Sequence, residues 1–263
     1  MTTYRSFFLP GLLGGALLLF MGCASPESDG EAESSDANAE QIQTASWSYS
    51  GDTGPDQWAT LDSAFTACNG TQQSPIDLPA SGDASSGTLS VAYDEADGDL
   101  VDTGHGVQID HNGGTLTVNG TTYDLLQFHF HTPSEHTVDG NAYPAEVHFV
   151  HAAEDGSLAV IGVFIEDGAA SEALAPFWDD LSAIEDAPVE DIDVDALLPE
   201  SKTYYTYDGS LTTPPCSEIV TWLVMQSPIT MSTEQLDALR SVHDDNARPV
   251  QPLNDREVAL RTP

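Results

Sequence analysis

Two stretches of this chain alternate apolar and polar side chains with a period of two residues, and both carry histidines. Leu126–His131 reads Leu-Gln-Phe-His-Phe-His, and Glu146–His151 reads Glu-Val-His-Phe-Val-His. Successive side chains of a β-strand point to opposite faces of the sheet. Gln127, His129 and His131 therefore share one face, while the intervening phenylalanines point into apolar packing on the other. The pattern predicts two strands on which polar groups are held by a rigid apolar framework.

A third imidazole on this framework comes from His148, in the second of the two strands. Three neutral imidazoles that leave one coordination position open form the arrangement of a catalytic zinc site, whereas structural zinc sites are closed by four protein ligands. The sequence therefore predicts a zinc site made of His129, His131 and His148. The competing interpretation is three core or surface histidines that bind no metal.

Short β-patterned runs dominate the rest of the chain, and turn signals such as Asn119-Gly120 and Asp155-Gly156 separate several of them. The predicted strands are Thr88–Tyr93, Gly106–Asp110, Thr115–Val118, Tyr123–His131, Ala145–Ala152, Leu158–Ile165, Ser201–Tyr207 and Ile219–Met225. Helical pattern is limited to about Ser171–Ile184 and Thr233–Val242, the latter capped by Ser232 or Thr233. We predict a β-dominated α+β fold: a single domain around a large, mostly antiparallel, twisted central sheet with few short peripheral helices.

The charge balance excludes one class of partner. The chain has 43 acidic residues against 6 basic ones, for a net charge of −37. Phosphate recognition requires clustered Lys and Arg, so nucleic acid is not expected as a partner. The acids are spread along the chain rather than gathered in a tail, which gives a self-repelling surface whose repulsion salt would screen. This distribution indicates a protein from a halophilic source.

The N-terminus has the features of an export signal. Arg5 precedes an apolar run from Phe7 to Met21 that is short for a membrane span and ends at Gly22-Cys23, similar to a lipoprotein cleavage site. We therefore expect a signal peptide at 1–22, a lipid on Cys23, a disordered acidic tether at 23–44 and a catalytic domain at 45–263. Ordinary signal cleavage, with Cys23 incidental, is the alternative.

The predicted location follows from the same features: the protein is exported, periplasmic or on the cell surface, and touches a membrane only through the lipid anchor on Cys23. Cys68 and Cys216 then remain as an even pair in an oxidising compartment.

Five ordered motifs lie between about Trp47 and Leu260. They are Gln73–Asp77 (QSPID), Gln127–Gly140 (QFHFHTPSEHTVDG), Ala145–His151 (AEVHFVH), Gly209–Pro215 (GSLTTPP) with Val220–Trp222 (VTW), and Asn246–Leu253 (NARPVQPL). In order and separation they resemble the α-class carbonic anhydrases, and most closely their secreted bacterial members.

The resemblance implies an activity, a cofactor and a ligand set. It implies reversible hydration of CO₂ to bicarbonate and a proton, by attack of a zinc-bound hydroxide, with His129, His131 and His148 as the Zn²⁺ ligands. Gln127 and Glu146 would orient the rings of His129 and His148, as outer hydrogen-bond partners do at metal sites. Sulfonamides and small anions are the expected inhibitors.

The resemblance also assigns roles outside the ligand set. Thr212 would orient the hydroxide through a hydrogen bond to the buried carboxylate of Glu135, and His105 would carry the proton to bulk solvent. The expected CO₂ and bicarbonate pocket is Val150, Val160, Leu211, Thr213, Val220 and Trp222, whose apolar members are equally plausible as core residues. Cys68 and Cys216 match a disulfide pair of exported members. Asn246 and Arg248 match a pair that braces the site from below.

Two other functions compete with this one. An acatalytic binding module would keep the fold and lose the zinc ligands, yet all three histidines are present. A different zinc hydrolase, such as an esterase, is not supported by a HExxH motif or by a Ser-His-Asp order. Four further histidines receive no chemical role: His136 and His151 are expected to be buried, and His111 and His243 to be at the surface.

Overall fold

A mixed sheet of thirteen strands is the framework of the described part of the chain. The computed structural model describes residues 45–263 except 94–95, 112, 174, 176–180 and 182–186. The predicted signal peptide, Cys23 and the tether lie outside the described residues, as does most of the helix predicted at 171–184. Within the described residues, no helix is long and apolar enough to cross a membrane.

Most strands are short, and three longer ones lie at the centre of the sheet. The strands are β1 (Asp77–Leu78), β2 (Ser85–Ser86), β3 (Leu89–Tyr93), β4 (Ala96–Asp102), β5 (Val107–Asp110), β6 (Gly114–Val118), β7 (Thr121–His131), β8 (Thr137–Val138), β9 (Asn141–Ala142), β10 (Ala145–Ala152), β11 (Leu158–Asp167), β12 (Ala187–Ile192), β13 (Tyr204–Gly209), β14 (Val220–Met225), β15 (Ile229–Met231) and β16 (Ala259–Thr262). The α-helices are α1 (Trp58–Leu61) and α2 (Thr233–Val242), and the 3₁₀ helices are Gly51–Thr53, Ser63–Asn69 and Asp195–Leu197.

The order of the strands places the histidine-bearing pair in the middle. It runs β12-β4-β5-β7-β10-β11-β14-β13-β16-β2, with β6 beside β7, β3 beside β6 and β15 beside β11. Most neighbours are antiparallel, as predicted, while β11 runs parallel to β14 and β15, and β16 parallel to β2. β7 and β10 pair so that His148 lies opposite His129. The register of one antiparallel pair therefore brings the predicted ligands together.

Apolar side chains pack on both faces of the central strands. Phe128 and Phe130 of β7 and Phe149 of β10 are buried in one cluster, with 5.5 Å between the Phe128 and Phe149 ring centres. Val160 of β11 and Trp222 of β14 are buried in a second cluster. Burial on both faces is why β11 contains almost continuous apolar sequence where an exposed sheet would alternate, and β10 is equally buried although it carries Glu146, His148 and His151.

The second helix begins where the sequence predicted. Ser232 accepts a hydrogen bond from the backbone N–H of Gln235, and the Gln235 side chain accepts one from the N–H of Ser232, which is a capping box. Strands β4 and β15 were not predicted. β4 carries acidic residues and β15 has three residues, so neither shows a period-two apolar pattern.

A disulfide joins Cys68, at the N-terminal side of the domain, to Cys216, which follows β13. Both cysteines are buried in a small cluster with Trp58 and Phe65. The bridge thus ties the segment that contains Thr212 and Thr213 to the first helices of the domain.

Candidate metal centre

The imidazoles of His129, His131 and His148 converge in the described structure. Each ring offers one nitrogen, and these three atoms lie within 4.8 Å of one another. His131 and His148 are buried and His129 is half-buried, so the cluster opens to one side only. His129 and His131 project from the same face of β7, as the period of two requires, and His148 reaches them from β10.

The outer nitrogen of each ring faces a hydrogen-bond acceptor. The contacts are His129 Nδ1 to Gln127 Oε1 at 2.8 Å, His131 Nδ1 to the Asn246 carbonyl oxygen at 2.8 Å, and His148 Nε2 to Glu146 Oε1 at 2.9 Å. An acceptor there holds the proton on the outer nitrogen and leaves the lone pair on the inner one. All three rings are therefore arranged to present a lone pair to a common point.

The buried atoms at that point fit a cation. His131 Nε2 and Glu135 Oε2 are both buried without a hydrogen-bond partner and lie 3.5 Å apart. Unsatisfied buried polar atoms are costly, so two of them facing each other indicate a missing positive partner. Three neutral nitrogen donors with one open side suit Zn²⁺, and a carboxylate outside the ligand set matches the charge.

Burial favours the neutral, metal-binding form of two of the rings. It lowers the pKa of His129 well below its usual value, and the neighbouring imidazoles lower it further. Burial also lowers the pKa of His131, although Glu135 opposes this. For His148 burial again acts to lower the pKa, but Glu146 and Glu135 outweigh it and the net change is upward.

Glu146 is a fully buried carboxylate with four donors. Oε1 lies 2.8 Å from His136 Nδ1 as well as 2.9 Å from His148 Nε2, and Oε2 accepts the backbone N–H groups of Glu135 and His136 at 2.9 Å. Burial would raise its pKa, but the charges and hydrogen bonds of the two histidines outweigh burial and lower it well below the usual value. Glu146 thus remains an anion that can only accept, which fixes the tautomer of His148.

Glu135 and Thr212 are both buried, but the predicted hydrogen bond between the Thr212 hydroxyl and the Glu135 carboxylate is not formed. Oε1 of Glu135 accepts the backbone N–H of Arg248 at 2.9 Å, while Oε2 has no partner. Among the hydrogen bonds of the described residues, none joins the Thr212 hydroxyl to Glu135. The Arg248 guanidinium points elsewhere, to carbonyl and amide oxygens of the N-terminal segment, and burial lowers its pKa to about 10.

A cavity of about 210 Å³ lies over the imidazoles and contains the predicted proton carrier. It is lined by His129, His131 and His105, with Thr213 and Trp47 also at its wall. The ring of His105 stacks on Trp47 with 3.7 Å between ring centres, and its Nε2 lies 3.1 Å from the Trp47 carbonyl oxygen. The histidine is thus at the cavity wall and half-buried.

Only one member of the predicted CO₂ pocket lines this cavity. Thr213 lines the cavity, whereas the five apolar members of the set pack together in the second apolar cluster beside it. The members of that cluster from the predicted set are Val150, Val160, Leu211, Val220 and Trp222. Trp222 contacts the site directly, because its ring centre lies 4.9 Å from that of His148.

Several residues at the cavity were not predicted from the sequence. Trp47, Tyr49 and Gln108 line it, and burial, with the negative charge of Glu135, raises the pKa of Tyr49. The two closely spaced aromatics at the start of the domain were the available signal for this contribution.

One histidine was placed wrongly. His111 was expected at the surface, but it is buried, with its ring centre 6.5 Å from that of Phe128, because it follows β5 at the point where the chain packs against β7. It lines a separate cavity of about 470 Å³, together with Asp97, Asp99 and Asp110, that contains none of the three clustered histidines. His136 and His151 are buried as expected.

Known proteins are similar to this one over most of the chain. Residues 53–262 match the family described as eukaryotic-type carbonic anhydrase. The chain belongs to the carbonic anhydrase family. A carbonic anhydrase of Pectobacterium atrosepticum is 41% identical over 83% of this chain and 92% of its own length, and one of Nostoc is 41% identical over 83% and 87%. An α-carbonic anhydrase of Thermovibrio ammonificans, solved with the inhibitor sulfanilamide, is 43% identical, with a TM-score of 0.78 over 82% of this chain and 99% of its own.

Proposed function

We propose that this carbonic anhydrase depends on Zn²⁺ held by His129, His131 and His148 and that it hydrates CO₂ reversibly to bicarbonate and a proton. The observation that carries the proposal is the set of three inward nitrogens within 4.8 Å of one another, each on a ring whose outer nitrogen faces an acceptor. The intact ligand set is also the argument against an acatalytic binding module.

The metal supplies one element of the chemistry. When held by these histidines, Zn²⁺ would lower the pKa of water to near 7 and so supply a nucleophile at neutral pH, an effect for which carbonic anhydrase is itself the standard example. The remaining elements come from the chain.

The chain fixes the orientation of the three imidazole rings and places a buried carboxylate oxygen beside them. Gln127, Glu146 and the Asn246 carbonyl hold the three rings in one tautomer and one orientation. Glu135 Oε2 is a buried acceptor beside two of the rings, at 3.5 Å from His131 Nε2 and 3.9 Å from His148 Nδ1. We propose that Thr212 bonds this oxygen during the reaction and orients the nucleophile, while Thr213 at the cavity wall contacts bicarbonate and the cluster around Trp222 receives CO₂.

The reaction releases one proton for each CO₂ hydrated, and that proton must leave the cavity. His105 lies at the wall, and an imidazole titrates in the range that suits transfer to solvent or buffer. We propose His105 as the carrier.

A stopped-flow assay of CO₂ hydration tests the function. We expect hydration by the zinc-loaded protein, loss of it after chelation, recovery with Zn²⁺, and inhibition by sulfanilamide, which the Thermovibrio relative binds. Zinc content measured beside activity provides an independent readout: His131→Ala should lower it, while Ser90→Ala, an exposed change on β3, should not. A protein that holds one zinc and still fails to hydrate CO₂ would refute the proposal.

We further propose that the protein is exported and held to a membrane by a lipid on Cys23, with 24–44 as a tether, and that its acidic surface is adapted to high salt. The Cys68–Cys216 disulfide supports an oxidising compartment, and the net charge of −37 supports the adaptation. Expression of the full chain with Cys23→Ser should move the protein from the membrane fraction to the soluble fraction; an unchanged distribution would contradict the lipid anchor.

A further inference from the structure

The loop that carries His105 is a tight hairpin turn between β4 and β5. Asp102 ends β4 and pairs with Val107 at the start of β5, so four residues close the turn. The Thr103 hydroxyl stabilises the turn. Its oxygen accepts hydrogen bonds from the backbone N–H groups of His105 and Gly106 at 3.3 and 3.0 Å, and its O–H donates to the Gly106 carbonyl.

Asp102 holds the same turn from outside. Its Oδ1 accepts the N–H of Gly104 at 2.8 Å and lies 2.7 Å from Nε2 of His243. Burial would raise the pKa of Asp102, but the bond from Gly104, the contact with His243 and the charge of His105 together lower it. The carboxylate is thus bonded to the loop on one side and to the end of α2 on the other.

His243 begins a short stretch, residues 243–246, that we call the bridging segment. Its carbonyl accepts the Thr132 hydroxyl at 2.7 Å, and Thr132 directly follows the ligand His131. At the other end of the segment, the Asn246 side chain accepts the N–H of Thr132 at 2.7 Å, and the Asn246 carbonyl faces His131 Nδ1.

The bridging segment therefore bonds to both the ligand strand and the loop of His105. Asn246 Nδ2 donates to the His105 carbonyl at 3.1 Å, and His243 reaches the loop through Asp102. Proton transfer is sensitive to the placement of the carrier, since small displacements of a catalytic group reduce rates strongly. A segment bonded at both places sets the distance between His131 and the carrier.

We infer that His243, through Asp102, is a positioning residue for proton transfer by His105: it holds the hairpin turn at a fixed distance from the ligand His131. The inference rests on the proposed function, in which His105 carries the proton. It concerns the side-chain contact at the rim, where His243 is 18% and Asp102 39% exposed, so that the contact can be removed without opening the core.

The test uses His243→Ala in the zinc-loaded full chain and measures kcat and kcat/KM for CO₂ hydration in weak and in concentrated buffer. We expect kcat in weak buffer to fall about five-fold. This fall corresponds to about 1 kcal/mol for the lost hydrogen bond, since 1.4 kcal/mol is a ten-fold change. We expect kcat/KM to be unchanged and concentrated imidazole to restore kcat. His243→Gln, whose amide can donate to Asp102 in place of Nε2, should retain most of the rate, and Asp102→Ala should behave like His243→Ala.

Two comparisons make the result decisive. The double variant His105→Ala/His243→Ala should be no slower than His105→Ala alone, because a positioning residue has no effect without the group it positions. Additive losses, or equal falls of kcat and kcat/KM in all buffers, would overturn the inference. If His105→Ala alone leaves kcat unchanged in weak buffer, the carrier assignment fails; if it lowers kcat while His243→Ala does not, only the positioning role fails.

Discussion

We expect the buried histidine His151 to contribute measurably to the loss of stability in acid. It lies on β10 next to the apolar core, with Nδ1 3.2 Å from the Ala159 carbonyl and Nε2 2.8 Å from the Tyr93 hydroxyl. A neutral ring donates to the carbonyl and accepts from the phenol, and burial lowers the pKa of His151 to about 4.

The direction of the effect follows from linkage. The unfolded chain binds the proton near pH 6.5 and the folded protein only near 4, so the unfolded state gains protons first as the pH falls. Above pH 6.5 the residue contributes no pH dependence. Between pH 6.5 and 4 it lowers the free energy of unfolding by about 3 kcal/mol in total, and by about 2 kcal/mol between pH 7 and 5.

Urea unfolding isolates this contribution when the wild type and His151→Gln are compared at pH 7 and pH 5. Both proteins are measured in molar salt, which screens the acidic surface. The variant should be less stable at pH 7, because its packing is imperfect, but should lose about 2 kcal/mol less than the wild type between the two pH values. The ligand histidines titrate equally in both proteins and cancel in the difference. Ser90→Ala is the control and should follow the wild type. Parallel losses in the wild type and His151→Gln would show that His151 is not the source.

Three other predictions concern the Glu146 hydrogen bonds, the disulfide and the acidic surface. Glu146→Gln replaces an acceptor that meets four donors and should weaken zinc binding by about 10- to 100-fold in a competition assay, whereas Glu154→Gln, the same charge change at an exposed site, should not. Reducing the disulfide, which closes a loop of 148 residues, should lower the free energy of unfolding by up to about 5 kcal/mol; equal urea midpoints in both redox states would contradict this. Raising NaCl from dilute buffer to molar concentration should raise the Tm, since it screens a net charge of −37; an unchanged Tm would argue against adaptation to salt.

The convergence of the three imidazoles was predictable because the sequence pattern that produces it is local. Gln127, His129 and His131 share a face by the period of a strand, and His148 follows two residues after its own acceptor, Glu146. The pairing of β7 with β10 then brings the two groups together.

The contacts around His105 could not be predicted from the sequence, because they join residues that are distant along the chain. Trp47 and His243 lie 58 and 138 residues away from it in sequence. Only the folded chain brings the Trp47 ring against His105 and the His243 ring against Asp102 of the same loop. The strand that precedes the loop was also hidden, because Asp97, Asp99 and Asp102 give it the composition of a turn. His111 was misjudged for a related reason: a histidine beside Asn-Gly-Gly looks like a loop residue, whereas the neighbouring strand buries it.

The central position of β7 and β10 also determines how the molecule opens. Amide hydrogens exchange fastest where a sheet frays at its edges and slowest where strands are paired on both sides and covered on both faces. β10 meets both conditions, and β7 is paired on both sides and most deeply buried at its C-terminal end, Phe128–His131, while β12 and β2 end the sheet. The amides of the strand segments that carry the three histidines should therefore be among the last to take up deuterium, so the candidate metal centre should survive partial openings that already release the two ends of the sheet.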